Sequence, residues 1–406
     1  MVTWQQSKLG QIGNIQSGSG FPKKYQGESS GDYPFYKVSD MNLLGNEVRM
    51  LNANNYISID VRDQLRAFVL PKDTIIFPKV GAAVATNKKR ILTKDSCIDN
   101  NVMGLTPSLD LIYPDFLYYW FQQHDLSAFA NHAHLPSIKK TTVEDWNFSY
   151  PSIPEQQRIV AILDQAFADI EKARVNAEQN LKNARELFDS YFHQAFALQS
   201  ENAALVRLDT LYKIARGGSP RPIKDFITED SNGINWIKIG DATASGKYIY
   251  STKQKIKPEG MQRSRLVKEG DFILSNSMSF GRPYIMATSG CIHDGWLVLS
   301  AKDNRVDQDF LYHLLGSPFA FNQFNSLAAG STVRNLNIDL VSGVEIPLLP
   351  ISEQRELVVT LDDLSSKCLT LESTYETKLK SLDELKKSLL QKAFSGELTK
   401  SKGIAA

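Results

Sequence analysis

Cysteine is scarce in this 406-residue chain: Cys97, Cys291 and Cys368 stand far apart, with no metal-ligand spacing between them. That excludes a disulfide framework and a zinc ribbon, and leaves reduced thiols in a cytoplasmic protein as the natural reading. Long apolar runs are missing too. No stretch approaches the roughly 20 residues of a membrane span, and residues 1–8 lack the apolar core of a signal peptide, so neither a membrane partner nor secretion is expected. Charge is nearly balanced at +1, which leaves the partner class open.

Catalytic signatures are equally thin. Residues 240–247 have the wrong spacing for a phosphate-binding Walker loop, and Gly18-Ser19-Gly20 is too short for a dinucleotide fingerprint. No Asn-Pro-Pro-aromatic or Asp-Pro-Pro-Tyr stretch marks an amino-methyltransferase. The six histidines are scattered, and His132 with His134 on a loop read as solvated. A metal-dependent nuclease would need only a few loosely spaced acidic residues and a lysine, so the missing motifs weigh against an enzyme without excluding one. The expectation is a chain with no catalytic residue, no metal site and no cofactor of its own.

What the chain does have is a repeat. Pro-Glu-Gln-Gln-Arg-Ile-Val-Ala-Ile-Leu-Asp at 154–164 answers Ser-Glu-Gln-Arg-Glu-Leu-Val-Val-Thr-Leu-Asp at 352–362, 198 residues later. The register holds onward without a gap, placing Glu178 on Glu376, Leu181 on Leu379, Leu187 on Leu385 and Phe196 on Phe394. Both copies carry apolar or small residues at alternating steps of four and three, which draws one ridge along a helix. Proline stands at 154 and 350, beside each first turn; neither helix contains a proline or glycine beyond that turn, and the second runs to Gly396, where a left-handed cap belongs. Each helix should span roughly 65 Å at about 1.5 Å per residue.

A ridge that long needs a partner, and the other copy is the obvious one, because a 4-3 spacing is what a coiled-coil pair requires. The interface residues are then Leu163, Ile170, Leu181 and Phe188 on the first helix and Leu361, Leu371, Leu379 and Leu389 on the second. Only Lys386 interrupts the second ridge. The alternative is that each helix packs separately on its own globular domain.

The segments between the helices also match, more loosely. Phe35-Tyr36-Lys37-Val38-Ser39-Asp40 pairs with Trp236-Ile237-Lys238-Ile239-Gly240-Asp241, Cys97-Ile98 with Cys291-Ile292, and Asp115-Phe116-Leu117-Tyr118 with Asp309-Phe310-Leu311-Tyr312. Short β-branched and aromatic runs at 35–38, 74–77, 272–274 and 296–299 predict strands, and 115–123 and 309–315 predict a helix apiece, in a small α+β or mostly β domain. The organisation is a first domain at 1–152, a helix at 153–199, a second domain at 200–350, a helix at 351–400 and a tail at 401–406.

Basic residues avoid the helices. Residues 153–197 hold five Lys/Arg against seven Asp/Glu, and 353–397 hold seven against nine, so the rest of the chain carries +5. Loop-like stretches gather that excess at Lys23, Lys24, Lys88, Lys89, Arg90, Lys139 and Lys140 in the first half, and at Arg216, Arg221, Arg263, Arg265, Arg282 and Arg334 in the second. Taken singly, each reads as a solvated surface charge; clustering in both copies points to phosphate contacts and base-edge reading. Of these, Lys23, Lys24, Lys88, Lys89, Arg90, Lys139, Lys140, Arg216, Arg221, Arg282 and Arg334 are the candidate DNA contacts.

The glycine-serine turns at Gly18-Ser19-Gly20 and Gly217-Gly218-Ser219-Pro220, the aromatic-lysine-aspartate stretches after them and the two Glu-Gln helix openings together resemble the specificity subunit of type I restriction-modification enzymes over essentially the full length. The resemblance implies an α+β fold in which two target recognition domains alternate with two long helices paired as an antiparallel coiled coil. It implies that each domain reads one half of a split target in double-stranded DNA, with the helices as the spacer. Two modification subunits would dock on the helices and methylate adenine with S-adenosylmethionine, and two restriction subunits would translocate and cleave with ATP and Mg. Reading heads on one face of DNA belong about one turn, roughly 34 Å, apart, a separation that stiff helices hold and a Gly/Ser linker does not. A coiled-coil adaptor that never touches DNA is the rival reading. A self-contained nuclease or methyltransferase is a third, disfavoured by length and missing motifs.

Overall fold

The computed structural model describes residues 3–131, 135–200, 203–276, 281–327 and 335–400. The chain forms two compact units, Met1–Ala177 with Thr377–Ala406, and Glu178–Glu376, so each unit holds one globular domain and a stretch of both long helices.

In the first unit, strand Gln5–Lys8 lies antiparallel to Asn147–Tyr150, clasping the start of the domain to the residues that lead into the long helix. A five-stranded sheet follows in the order Gly13–Ser17, Val102–Pro107, Ile75–Pro78, Arg90–Leu92, Arg49–Met50, antiparallel except for its last pair. Its central strand, Ile75–Pro78, is buried at every position, which explains why 75–78 is a continuous apolar run and not an alternating one. A three-stranded sheet sets Tyr33–Tyr36 between Tyr56–Ile57 and Cys97–Ile98, the last pairing parallel.

The second unit repeats the plan. Leu205–Arg207 clasps Glu345–Pro347, and the main sheet runs Tyr212–Arg216, Trp296–Ala301, Phe272–Ser275, Pro283–Met286, Tyr248–Ile249. Its smaller sheet has five strands and again pairs the matched motifs in parallel, Trp236 beside Cys291 and Ile237 beside Ile292. Helices Pro114–Gln123 and Gln308–Leu315 occupy the expected positions, each driving aromatic and leucine side chains into its core. The domains are mixed α+β.

The long helices are Ile153–Ser200, 48 residues, and Ile351–Phe394, 44 residues. The second stops at Phe394, not at 400: the Glu397 amide donates to Lys392 O at 3.0 Å, closing a turn in which Gly396 has φ +75°. A side chain at 396 would also meet the Trp4 indole at 2.9 Å, so both conformation and space demand glycine.

Within each unit the helices run antiparallel. In the first, Arg174 pairs with Asp383, and the Lys386 ammonium lies 4.9 Å from the Phe167 ring centre. In the second, Arg185 bridges to Glu372 and Glu376 at 3.3 and 3.2 Å. Leu163, Ile170 and Leu361 are buried, and Leu181, Phe188, Leu379 and Leu389 half-buried. Leu371 departs from the expectation: it is 39% exposed, and the buried position beside it is Cys368. The two sequence alternatives also merge. Ile159, Val160 and Leu163 join the core of the first domain together with Leu390 and Ala393, while Leu357, Val358 and Leu361 join that of the second with Phe192. Each helix therefore docks on one domain core by its first turns and on the other by its last turns, and it meets its partner helix along the stretch between.

Candidate nucleic-acid interface

In both domains the glycine-serine turn crosses the end of the parallel strand pair. The Gly18 and Ser19 amides donate to Val102 O and Ile98 O at 3.0 and 2.9 Å, and a Cβ at 18 would stand 2.0 Å from Asp99 O. The Gly217 and Gly218 amides donate to Trp296 O and Ile292 O at 2.9 and 3.1 Å, and a Cβ at 217 would stand 2.0 Å from His293 O. Close backbone approach is the reason for glycine at both places.

The aspartate that ends each matched motif organises the neighbouring loop. Buried Asp40 accepts from the Lys37 amide at 2.7 Å and from Asn54 N and Nδ2 at 3.1 and 2.8 Å. Asp241 accepts from the Lys238 amide at 3.1 Å and the Lys253 amide at 3.2 Å. These carboxylates do structural work, and they leave Lys37 and Lys238 at equivalent places beside the turns. Lys37 Nζ donates to Gln26 at 3.1 Å, Lys79 Nζ donates to Ser17 Oγ at 3.1 Å, and Lys238 is exposed. None of the three was among the sequence candidates, although the shared lysine of the two motifs was the signal for two of them.

Around the first turn, Lys23 and Lys24 stand exposed on the turn Lys23–Tyr25, with Lys24 over the Tyr25 ring at 4.6 Å. Asp99 lies beneath, its carboxyl pushed up by burial and held back by its bonds from Asn101. Around the second turn, Asp294 gathers the basic residues. Its side chain accepts from Ser219 Oγ at 2.7 Å and Arg221 at 3.4 Å, and its carbonyl accepts from Arg216 Nε at 3.0 Å and Asn276 Nδ2 at 2.8 Å. The Ser219 bond, more than the nearby charges, holds the Asp294 carboxyl below its usual range. Burial lowers His293 beside it. An open groove of about 960 Å³ is lined here by Arg221, Lys224, Lys238, Trp236 and Asp294.

The remaining candidates lie elsewhere. Lys88 donates to Asn42, Lys140 pairs with Glu144 at 3.6 Å, and Lys139 is exposed beside it. Lys89 is a correction: it is fully buried and donates to Asn87 Oδ1 and His124 O at 2.6 and 2.7 Å, so its charge serves the interior. Arg90 enters the strand Arg90–Leu92 half-buried and spends its guanidinium on the carbonyls of Lys89 and Met41. Arg282 lies over the Tyr284 ring and lines a 360 Å³ cavity with Phe188 and Ser365, facing the helices. Arg334, like His132 and His134, falls outside the described residues.

This chain belongs to a DNA specificity family: the model of the type I restriction modification DNA specificity domain matches it twice, over 1–179 and 201–381. Among its relatives, it is 22% identical over 362 residues to the type I restriction enzyme StySPI specificity subunit of Salmonella potsdam, covering 82% of this chain and 76% of that one. It is 22% identical over 322 residues to the EcoDI specificity subunit of Escherichia coli, covering 71% of each. The same fold occurs in a solved structure concerned with complex assembly and conformational transition of the type I R-M system, with TM-score 0.77 at 18% identity over 98% of this chain and 100% of that one. The HsdS subunit from Thermoanaerobacter tengcongensis gives TM-score 0.63 at 17% identity over 97% of each. Among the described residues no helix is long and apolar enough to cross a membrane.

Proposed function

We propose that this chain is the sequence-reading subunit of a type I restriction-modification complex, each domain recognising one half of a bipartite target in double-stranded DNA. The observation that carries the reading is the repetition of one construction in two diverged domains. Each has a glycine-serine turn over a parallel strand pair, a motif lysine beside it, and exposed basic residues that differ between the copies: Lys23 and Lys24 in one, Arg216 and Arg221 in the other. Shared backbone with unlike side chains is what two reading heads for different half-sites require.

In this reading the chain performs no chemistry. Methylation by S-adenosylmethionine comes from two modification subunits, and ATP- and Mg-dependent translocation and cleavage from two restriction subunits. The helices supply repeat-equivalent surfaces for the modification subunits: Leu187 and Leu385, 198 residues apart, are each 47% exposed. Two copies of one partner can then meet the same side chain twice.

The test is selection from a randomised duplex library by the chain together with its modification subunit, and methylome sequencing of cells with and without the chain. A split motif that disappears with the chain, and binding that weakens as salt rises, are the expected results. No selected sequence at any salt would favour the adaptor reading. Methylation or cleavage by the purified chain alone would contradict its non-catalytic role.

A further inference from the structure

We propose that Arg216 reads a guanine in the half-site recognised by the second domain. The proposal rests on the DNA-reading assignment above and specifies one of its contacts.

Arg216 is the last residue of strand Tyr212–Arg216, in register with Leu297, so its backbone belongs to the main sheet and not to a loop. Its carbonyl accepts from Arg265 Nε at 3.1 Å. Its side chain donates through Nε to Asp294 O at 3.0 Å. That acceptor is itself fixed, because Asn276, 2% exposed, donates to the same oxygen at 2.8 Å and Ser219 holds the Asp294 carboxylate at 2.7 Å. An arginine anchored through Nε keeps the two terminal amino groups of its fork for another acceptor. Guanine presents O6 and N7 side by side in the major groove, which suits such a fork. Placement on a strand supplies the precision that base discrimination needs.

Arg221 makes a useful contrast. Its side chain is 80% exposed, it lies on a loop, and it meets Asp294 through a terminal nitrogen at 3.4 Å. That arrangement supplies charge to a phosphate more readily than a fixed fork to a base. In the first domain the position matched to Arg216 is Ser17, which accepts from Lys79 Nζ at 3.1 Å, so the guanine contact belongs to the second half-site alone.

The experiment uses the full chain with the modification subunit of its own system, selected on randomised duplex DNA. The parent should select guanine at one position of one half-site. Arg216→Ala should lose 5- to 150-fold in preference at that position, roughly what one bidentate pair contributes, with the rest of the motif unchanged. Arg216→Lys should recover affinity but only part of the guanine preference, since an ammonium can donate to O6 and N7 without the planar fork that fixes the geometry. Arg221→Ala should weaken all sequences alike and make the salt dependence shallower by about one contact. If Arg216→Ala weakens every sequence evenly and Arg216→Lys restores it, Arg216 touches phosphate and the guanine assignment is wrong, while DNA reading stands. A parent chain that selects no sequence overturns both.

Discussion

At position 89 a lysine ammonium is enclosed by protein and donates to one side chain and one carbonyl, and burial pulls its pKa from the ordinary 10.5 down to about 8. Between those values the unfolded chain still holds a proton that the folded one has released, so stability rises with pH across that window and this residue adds no slope below it. Urea unfolding at a series of pH values should show the gain, up to about 3 kcal/mol, in the parent and not in Lys89→Met; identical profiles would refute it. Lys89→Met should also leave the salt slope of DNA binding unchanged, whereas Lys23→Ala and Lys24→Ala should each reduce it by about one. Three basic residues in a row looked like a surface loop because sequence shows charge and not depth: 88–90 runs into a sheet, and the middle residue points inward. Repetition was more legible than role. Gln156 and Gln354 were visible as matched letters, yet what each does is a clamp that only folding reveals. Gln156 accepts from the Tyr113 amide at 2.8 Å and donates to Leu111 O and Pro151 O, both at 2.8 Å, and Gln354 makes the same three bonds to Asp307 N, Arg305 O and Leu349 O at 2.8 Å each. Replacing either by Leu removes the partner of three backbone groups, one of them on a buried residue, Pro151 or Leu349. The cost should be about 2–3 kcal/mol, read as a lowered denaturation midpoint of the affected unit, and a loss under about 1 kcal/mol would show that the clamp is ornamental.

Among the elements, the long helices were almost fully readable, because a 4-3 ridge without glycine or proline has few other fates. What the ridge did not reveal was its division of labour. Small residues at Ala177 and Ala184 are buried in mid-helix, whereas Ile159 and Leu361 belong to domain cores. The β elements were half-legible: fully buried strands such as Ile75–Pro78 announce themselves, but two-residue strands such as Arg49–Met50 carry no periodicity, and their pairing depends on partners far along the chain. If the chain is the sequence-reading subunit proposed above, the outward faces of the helices are where the modification subunits dock. Leu187 and Leu385 occupy the same repeat position and are equally exposed, so each should contribute to capture of one modification subunit. Leu187→Asp or Leu385→Asp alone should reduce the captured stoichiometry by one subunit, and the double variant should abolish capture while helicity stays unchanged; mass photometry and circular dichroism distinguish these results. Full capture by the double variant would move the docking surface elsewhere.

For the molecule as a whole, the tandem does not partition at its midpoint. The unit that contains the first domain also takes Thr377–Ala406, and its core includes Leu390 and Ala393, with Leu389, Phe394 and Leu398 packed against it. Phe116 meets Phe394 with ring centres 5.1 Å apart, so residues nearly 280 positions apart in sequence share one core. The other unit, Glu178–Glu376, contains its own domain and helical stretches without that segment. Ending the chain after Glu376 should therefore harm the domain farther from the cut in sequence. Loss of those leucine and phenylalanine side chains, each contributing about 1.5–3 kcal/mol by burial, approaches the total stability of an ordinary domain. Hydrogen exchange on the truncated chain should show residues 5–150 losing protection while 205–350 retain it. The motif read by such a chain should keep the second half-site, with any guanine read by Arg216, and lose the first. Protection lost in 205–350 instead would mean that the domains are completed by their neighbours in sequence, and that the helices do not close each unit in the way their buried residues indicate.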